Sequence, residues 1–194
     1  MSKNYIRINK EDLKELNSNE VLVLNIIRCY NANKKYCRCT INTFARMIHC
    51  SERTIDNAIK SLKEKELIFV AKDGVNSLYY TKTQISVNSF KLYTDLFKNA
   101  DLDSKEMIIL SMLEDGMDRK DIHNYISRTT VYRAVKKLKE LKLFKEEIEV
   151  DTEYEKLFDK TPARRTNSRN RFNNFTQRNY SKEYFEELEK VFFN

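Results

Sequence analysis

The sequence of 194 residues predicts a mainly α fold with small β-hairpins, in which two copies of one helical unit are joined by a short helical linker and followed by a basic tail. Three observations carry this. The chain holds only 2 Gly and 1 Pro, too few for a fold of many turns and hairpins. The stretch SERTIDNAIKSLKEKEL at residues 51–67 returns as SRTTVYRAVKKLKELKL at residues 127–143, a spacing of 76. Both stretches carry apolar residues at i, i+3, i+4 and i+7, one face of a helix.

The repeat is more than a shared helix period. Without gaps, Ser51/Ser127, Thr54/Thr130, Ala58/Ala134, Leu62/Leu138 and Leu67/Leu143 are identical, as are Lys60/Lys136, Lys63/Lys139 and Glu64/Glu140. Agreement at the cap and at the small residue favours an internal repeat. It extends upstream, where EVLVLNII (20–27) matches EMIILSML (106–113) at a spacing of 86. Each unit therefore reads as helix, short helix, tight turn, longer helix.

Taken in order, residues 1–16 form an N-terminal arm and 17–87 the first unit. Thr40 can cap the short helix of TINTFARMI (40–48), and Ser51 the longer helix, whose inward stripe is Ile55, Ala58, Ile59 and Leu62. Glu52 adds negative charge to the first turn. Ile68–Val70 and Leu78–Thr81 are β-rich, with KDGVNS between them as the turn of a two-stranded hairpin. Residues 88–101 read as a linker helix, with Phe90, Tyr93, Leu96 and Phe97 packing on the units. The second unit spans 102–160. Asp118 can cap its short helix (118–126), and Ser127 or Thr129 the longer one, whose stripe is Val131, Ala134, Val135 and Leu138. Its hairpin is degenerate. Residues 161–180 carry five Arg and no acid, the composition of a segment disordered when free. Residues 181–194 form an amphipathic helix.

Charge and composition bound the function. The net charge is +7 and the pI about 9.1, which fits an acidic partner such as nucleic acid. The N-terminus has no apolar core of a signal peptide, and the richest apolar run is too short to span a bilayer, so a cytoplasmic protein without membrane contact is expected. Cys29, Cys37, Cys39 and Cys50, with His49, invite a zinc reading. The C-x-C spacing is poor for a structural site, and buried free thiols account for the four cysteines, so no metal is expected. The only other histidine, His123, is expected to be exposed. Gly74 and Gly116 are the only glycines, so there is no phosphate-binding P-loop. No histidine pair supports a catalytic tyrosine. Neither an enzyme nor a cofactor is expected.

TFARMIHCSERTIDNAIKSLKEKELIFV and DIHNYISRTTVYRAVKKLKELKLF resemble the winged helix-turn-helix superfamily, over residues 17–83 and 102–150. The resemblance implies two tandem winged helix-turn-helix units, with the third helix of each in a major groove and the wing on backbone or minor groove. The sequence departs from the pattern at the turn, where His49 stands in place of a common Gly and Tyr125 or Ile126 in the second copy, and in the poor second wing. RNRFNNFTQRNYSKEYFEELEKVF (169–192) resembles the tails of replisome-organiser and replication-initiation proteins of phages and plasmids of low-GC Gram-positive bacteria.

Helical periodicity turns Arg53, Asn57 and Lys60 away from the first apolar stripe, and Arg128, Thr129, Tyr132, Arg133 and Lys136 away from the second. Arg and Lys donate to guanine or phosphate, and Asn reads adenine. Lys72 at the hairpin turn suits a phosphate. In the tail, Arg164, Arg165, Arg169 and Arg171 suit phosphates without base readout. Phe172, Phe175, Tyr180, Tyr184, Phe185, Leu188 and Phe192 suit a protein partner. The expectation is a sequence-specific binder of double-stranded DNA at repeated or palindromic sites, serving replication initiation of a plasmid or phage. Its tail would recruit replisome proteins or a second copy of the chain as a homodimer. The alternatives are a transcriptional regulator of a mobile element and a protein-interaction adaptor that keeps the fold.

Overall fold

A computed structural model describes residues 4–73 and 76–144. The chain divides into two units, Met1–Phe144 and Lys145–Asn194, of which the second lies outside the described residues. The first unit is a mixed α/β fold with several helices and two small antiparallel sheets, consistent with a general winged-helix-like architecture. Its elements are β1 (Tyr5–Asn9), α1 (Asp12–Glu15), α2 (Ser18–Lys34), α3 (Ile41–Ile48), α4 (Glu52–Glu64), β2 (Phe69–Asp73), β3 (Asn76–Tyr80), β4 (Ser89–Tyr93), a 3-10 turn (Thr94–Lys98), α5 (Ser104–Glu114), α6 (Arg119–Ile122) and α7 (Arg128–Glu140).

The two copies share devices that fix helix ends. At α2, Asn17 Oδ1 accepts from the backbone N–H of Asn19 (3.0 Å) and Glu20 (3.1 Å), while Glu20 Oε2 accepts from Asn17 N–H at 2.9 Å. At α5, Asp103 and Glu106 repeat this capping box, with the return bond at 2.8 Å. Five residues further on, Asn25 and Ser111 are both fully buried and both donate to the carbonyl four residues back, at 2.8 and 2.7 Å. α4 and α7 also end alike. Glu66 and Lys142 both take the left-handed conformation at φ 57°, and Leu67 and Leu143 N–H each donate to the carbonyl five residues back at 3.0 Å. That is a Schellman closure.

The core forms where the apolar stripes predict it. Ile55, Ala58, Ile59 and Leu62 of α4 are buried, and so are Val131, Ala134, Val135 and Leu138 of α7. α2 is buried on every side from Glu20 to Arg28 and serves as the central post, packed by α4, α5, α3 and β1. The first hairpin forms, with Phe69 opposite Tyr80, but its strands run further than expected, pairing Lys72 with Ser77 and Asp73 with Asn76 inside the stretch read as turn. An isolated bridge adjoins it, in which Cys37 and Tyr79 exchange both backbone bonds at 2.9 Å.

Several expectations are corrected. The linker is a β-strand and a 3-10 turn rather than a helix, because Phe90 and Leu92 point inward with period two and pair with the arm. The arm itself supplies β1, with Ile8 opposite Phe90 and Ile6 opposite Leu92, so four apolar residues close one sheet face. Ser127 occupies the cap position of α7, but its hydroxyl meets Thr130 Oγ1 (2.8 Å) and caps no backbone N–H; Asp118 likewise makes no side-chain cap bond. α6 closes after one turn, and Asn124 and Tyr125 N–H continue as three-residue turns. His123 is half-buried rather than exposed. The degenerate second hairpin expected within residues 143–158 lies, beyond Phe144, outside the described residues, as does the tail.

Candidate nucleic-acid interface

α4 presents Arg53, Asn57 and Lys60 on its exposed side, opposite the buried stripe. Ser51 Oγ accepts from Thr54 N–H at 3.1 Å and sets the helix start. The turn before it depends on His49, which holds φ 56° and ψ 44°, while Cys50 N–H donates to Ala45 carbonyl at 3.0 Å. A left-handed residue is what lets α3 stop and α4 start with only three residues between them. Burial pushes the His49 imidazole below its ordinary value, against the opposing pull of a backbone contact with Phe97 and the charge of Asp101. The residue at this turn is a half-buried imidazole set toward the 3-10 turn.

α7 presents Arg128, Arg133 and Lys136 as exposed cations, with Thr129 and Tyr132 half-buried beside them. The two faces differ in charge. α4 carries three cations and three acids, whereas α7 carries five cations and only Glu140. Lys60 is also tied to Asp56 at 2.7 Å, one helical turn away, which takes part of its charge out of play. On α7, Arg128, Arg133 and Lys136 form no ion pair among the described residues. The second face is the stronger anion attractor.

Each of these helices is clamped to the start of its unit through a buried acid. Lys65 Nζ reaches Glu20 Oε2 at 3.2 Å and the Glu15 carbonyl at 3.4 Å. Lys137 Nζ reaches Glu106 Oε2 at 2.6 Å and the Asp101 carbonyl at 2.5 Å. The two acids and the two carbonyls stand at the same spacing of 86, although the lysines differ by one helical turn. Burial, the largest influence on Glu20, pushes its carboxyl upward. Bonds from Ser61, Asn17 N–H and Lys65 outweigh it and hold the group below the ordinary value.

Lys72 is exposed on β2, opposite Ser77. Arg164, Arg165, Arg169, Arg171, Phe172, Phe175, Tyr180, Tyr184, Phe185, Leu188 and Phe192 lie outside the described residues. No group of three or more His, Cys, Asp or Glu that could hold a metal is present among the described residues. Cys37 and Cys39 are buried, and Cys29 and Cys50 are half-buried. Burial raises the thiols of Cys29 and Cys50, the latter to about 11, while a bond to Cys39, ahead of burial, raises Cys37. No described helix is long and apolar enough to cross a membrane.

The row of Tyr36, Tyr80 and Phe69 on the hairpin escaped the sequence reading. Tyr36 sits in the segment present only in the first copy, and its pairing depends on the Cys37–Tyr79 bridge, which no local pattern signals. No protein-family model, curated protein or solved structure significantly matches the chain.

Proposed function

We propose that the chain is a sequence-specific, double-stranded DNA-binding protein whose two tandem winged helix-turn-helix units act as two reading heads. One observation carries the reading. A helix, a turn and a longer helix occur twice in one compact unit, and each time exposed cations lie opposite the buried stripe, Arg53 and Lys60 on α4 and Arg128, Arg133 and Lys136 on α7. In this reading Arg53, Asn57 and Lys60 enter one major groove and Arg128, Arg133 and Lys136 another. Lys72 contacts a phosphate beside the first groove. The +7 net charge adds sequence-independent attraction.

The role we assign is replication initiation of a plasmid or phage, from the resemblance of the tail. Mapping the binding sites across the host genome and resident mobile elements tests it. Iterated sites at a replication origin support the role. Operators over promoters would replace it with transcriptional regulation, and no enriched site at all would remove sequence-specific binding.

A further inference from the structure

The first hairpin has two unlike faces. Continuing the Cys37–Tyr79 bridge by one residue sets Tyr36 opposite Tyr80, and Tyr80 stands opposite Phe69. Side chains alternate along a strand, so these three share one face and Cys37 and Tyr79 share the other. The Cys37 and Tyr79 face is core, at 0% and 2% exposure. On the other face Tyr36 is 41% and Phe69 45% exposed. A solvent-facing sheet surface is ordinarily polar. Here it is a row of three aromatic rings, with Tyr36 and Tyr80 centroids 6.2 Å apart.

Cations surround the row. Lys82 Nζ lies 5.1 Å from the Phe69 ring centre. Across residues 34–38, 69–73 and 76–82 the charged residues are Lys34, Lys35, Arg38, Lys72 and Lys82 against the single acid Asp73, which Arg38 engages at 3.3 Å. Exposed π faces set in a basic surface match an anionic polymer of aromatic units better than an apolar peptide. The ring orientation separates single from double strand. Bases in a duplex keep their faces against one another. Tyr36 and Tyr80 are tilted 54° to each other, so bases lying on both rings cannot stay stacked as they are in a duplex.

We propose that the outer face of this hairpin binds single-stranded DNA, with Tyr36, Tyr80 and Phe69 stacking unpaired bases and Lys82 meeting the phosphates. This rests on the DNA-binding reading above and extends it, since it gives the chain a hold on opened duplex beside the first reading head. The test titrates the full chain with a labelled oligothymidine and, separately, with duplex DNA. Tyr36→Leu and Phe69→Leu keep apolar bulk on the strand and remove the π face; Tyr36→Phe keeps it. Each leucine variant should lose about tenfold in oligothymidine affinity, Tyr36→Phe should lose little, and duplex affinity should hold within about twofold. Unchanged oligothymidine affinity in both leucine variants overturns the proposal. So does a change in sedimentation without a change in oligothymidine binding, which would make the row a contact between copies of the chain. Wild-type binding to oligothymidine but to no specific duplex would support the platform while removing the reading heads. Binding to neither would remove both.

Discussion

Replacing Asp12 with alanine should be among the most damaging single changes in the described unit. Arg28 is a buried cation with a side chain 4% exposed. Its guanidinium meets both Asp12 oxygens, donates to Asn25 Oδ1 at 3.0 Å, and donates through Nε to Thr83 Oγ1 at 2.9 Å. Asp12 belongs to α1 and Thr83 follows the hairpin, so one arginine on α2 ties the N-terminal arm to the exit of β3. Without Asp12 the remaining acceptors are neutral and the charge stays buried. An uncompensated buried ion costs about 3–5 kcal/mol. At about 3 °C per kcal/mol for a unit of this size, Tm should fall by about 10–15 °C. Arg28→Met should cost less, about 1–3 kcal/mol, because Asp12 keeps a bond from Asn25 Nδ2 at 3.1 Å and some water. The double variant should be more stable than Asp12→Ala alone. Urea unfolding followed by far-UV circular dichroism gives each value. A loss below about 1 kcal/mol for Asp12→Ala, or no recovery in the double variant, would refute the buried-charge reasoning.

Three further outcomes are expected. Ser51→Ala should cost about 1 kcal/mol and Ser127→Ala only a few tenths, because only Ser51 caps a backbone N–H; equal losses in urea would contradict this. His49 and His123 are both held below the ordinary histidine value, His49 mainly by burial and His123 by burial and then by Arg128 and Arg119. A depressed folded value means that the unfolded chain takes up the proton more readily. These groups therefore contribute stability above about pH 6.5 that is lost as pH falls through their folded values, and His49→Asn should flatten that slope in urea midpoints measured from pH 7 to 5. The raised thiols of Cys29, Cys37 and Cys50 should make native alkylation slow relative to the unfolded chain, and elemental analysis should find no stoichiometric zinc; one zinc per chain, lost together with the fold on chelation, would overturn this.

Much of the fold was legible because its signals are local. The stripes of α4 and α7, the Ser51 and Thr40 caps and the first hairpin all follow from residues within one or two turns of each other. What escaped depends on distant partners. β1 and β4 pair across 80 residues or more, and neither Tyr5–Asn9 nor Ser89–Tyr93 announces its partner. Phe90 and Phe97 fit a helical pattern as well as Phe90 and Leu92 fit a strand, and only the pairing with Ile6 and Ile8 decides between them. The Asn17–Glu20 and Asp103–Glu106 capping boxes were missed although the signal is local, an amide or carboxylate three residues before a glutamate ahead of an apolar run. The exposed cations of α4 and α7 followed from periodicity alone. That Asp56 engages Lys60, and that Lys137 is committed to Glu106, required the structure.

The two-headed reading is tested most directly by footprinting the mapped DNA site with two double variants, Arg53→Ala with Lys60→Ala and Arg128→Ala with Arg133→Ala. All four residues are exposed and outside the core, so both proteins should stay folded. Each lost base contact should cost about 1–3 kcal/mol of discrimination. The first pair should weaken protection over one half of the footprint and the second pair over the other. The α7 pair should weaken overall affinity more, since among the described residues neither of its arginines is engaged by an acid as Lys60 is by Asp56. Unchanged footprints in both folded double variants would contradict readout through α4 and α7.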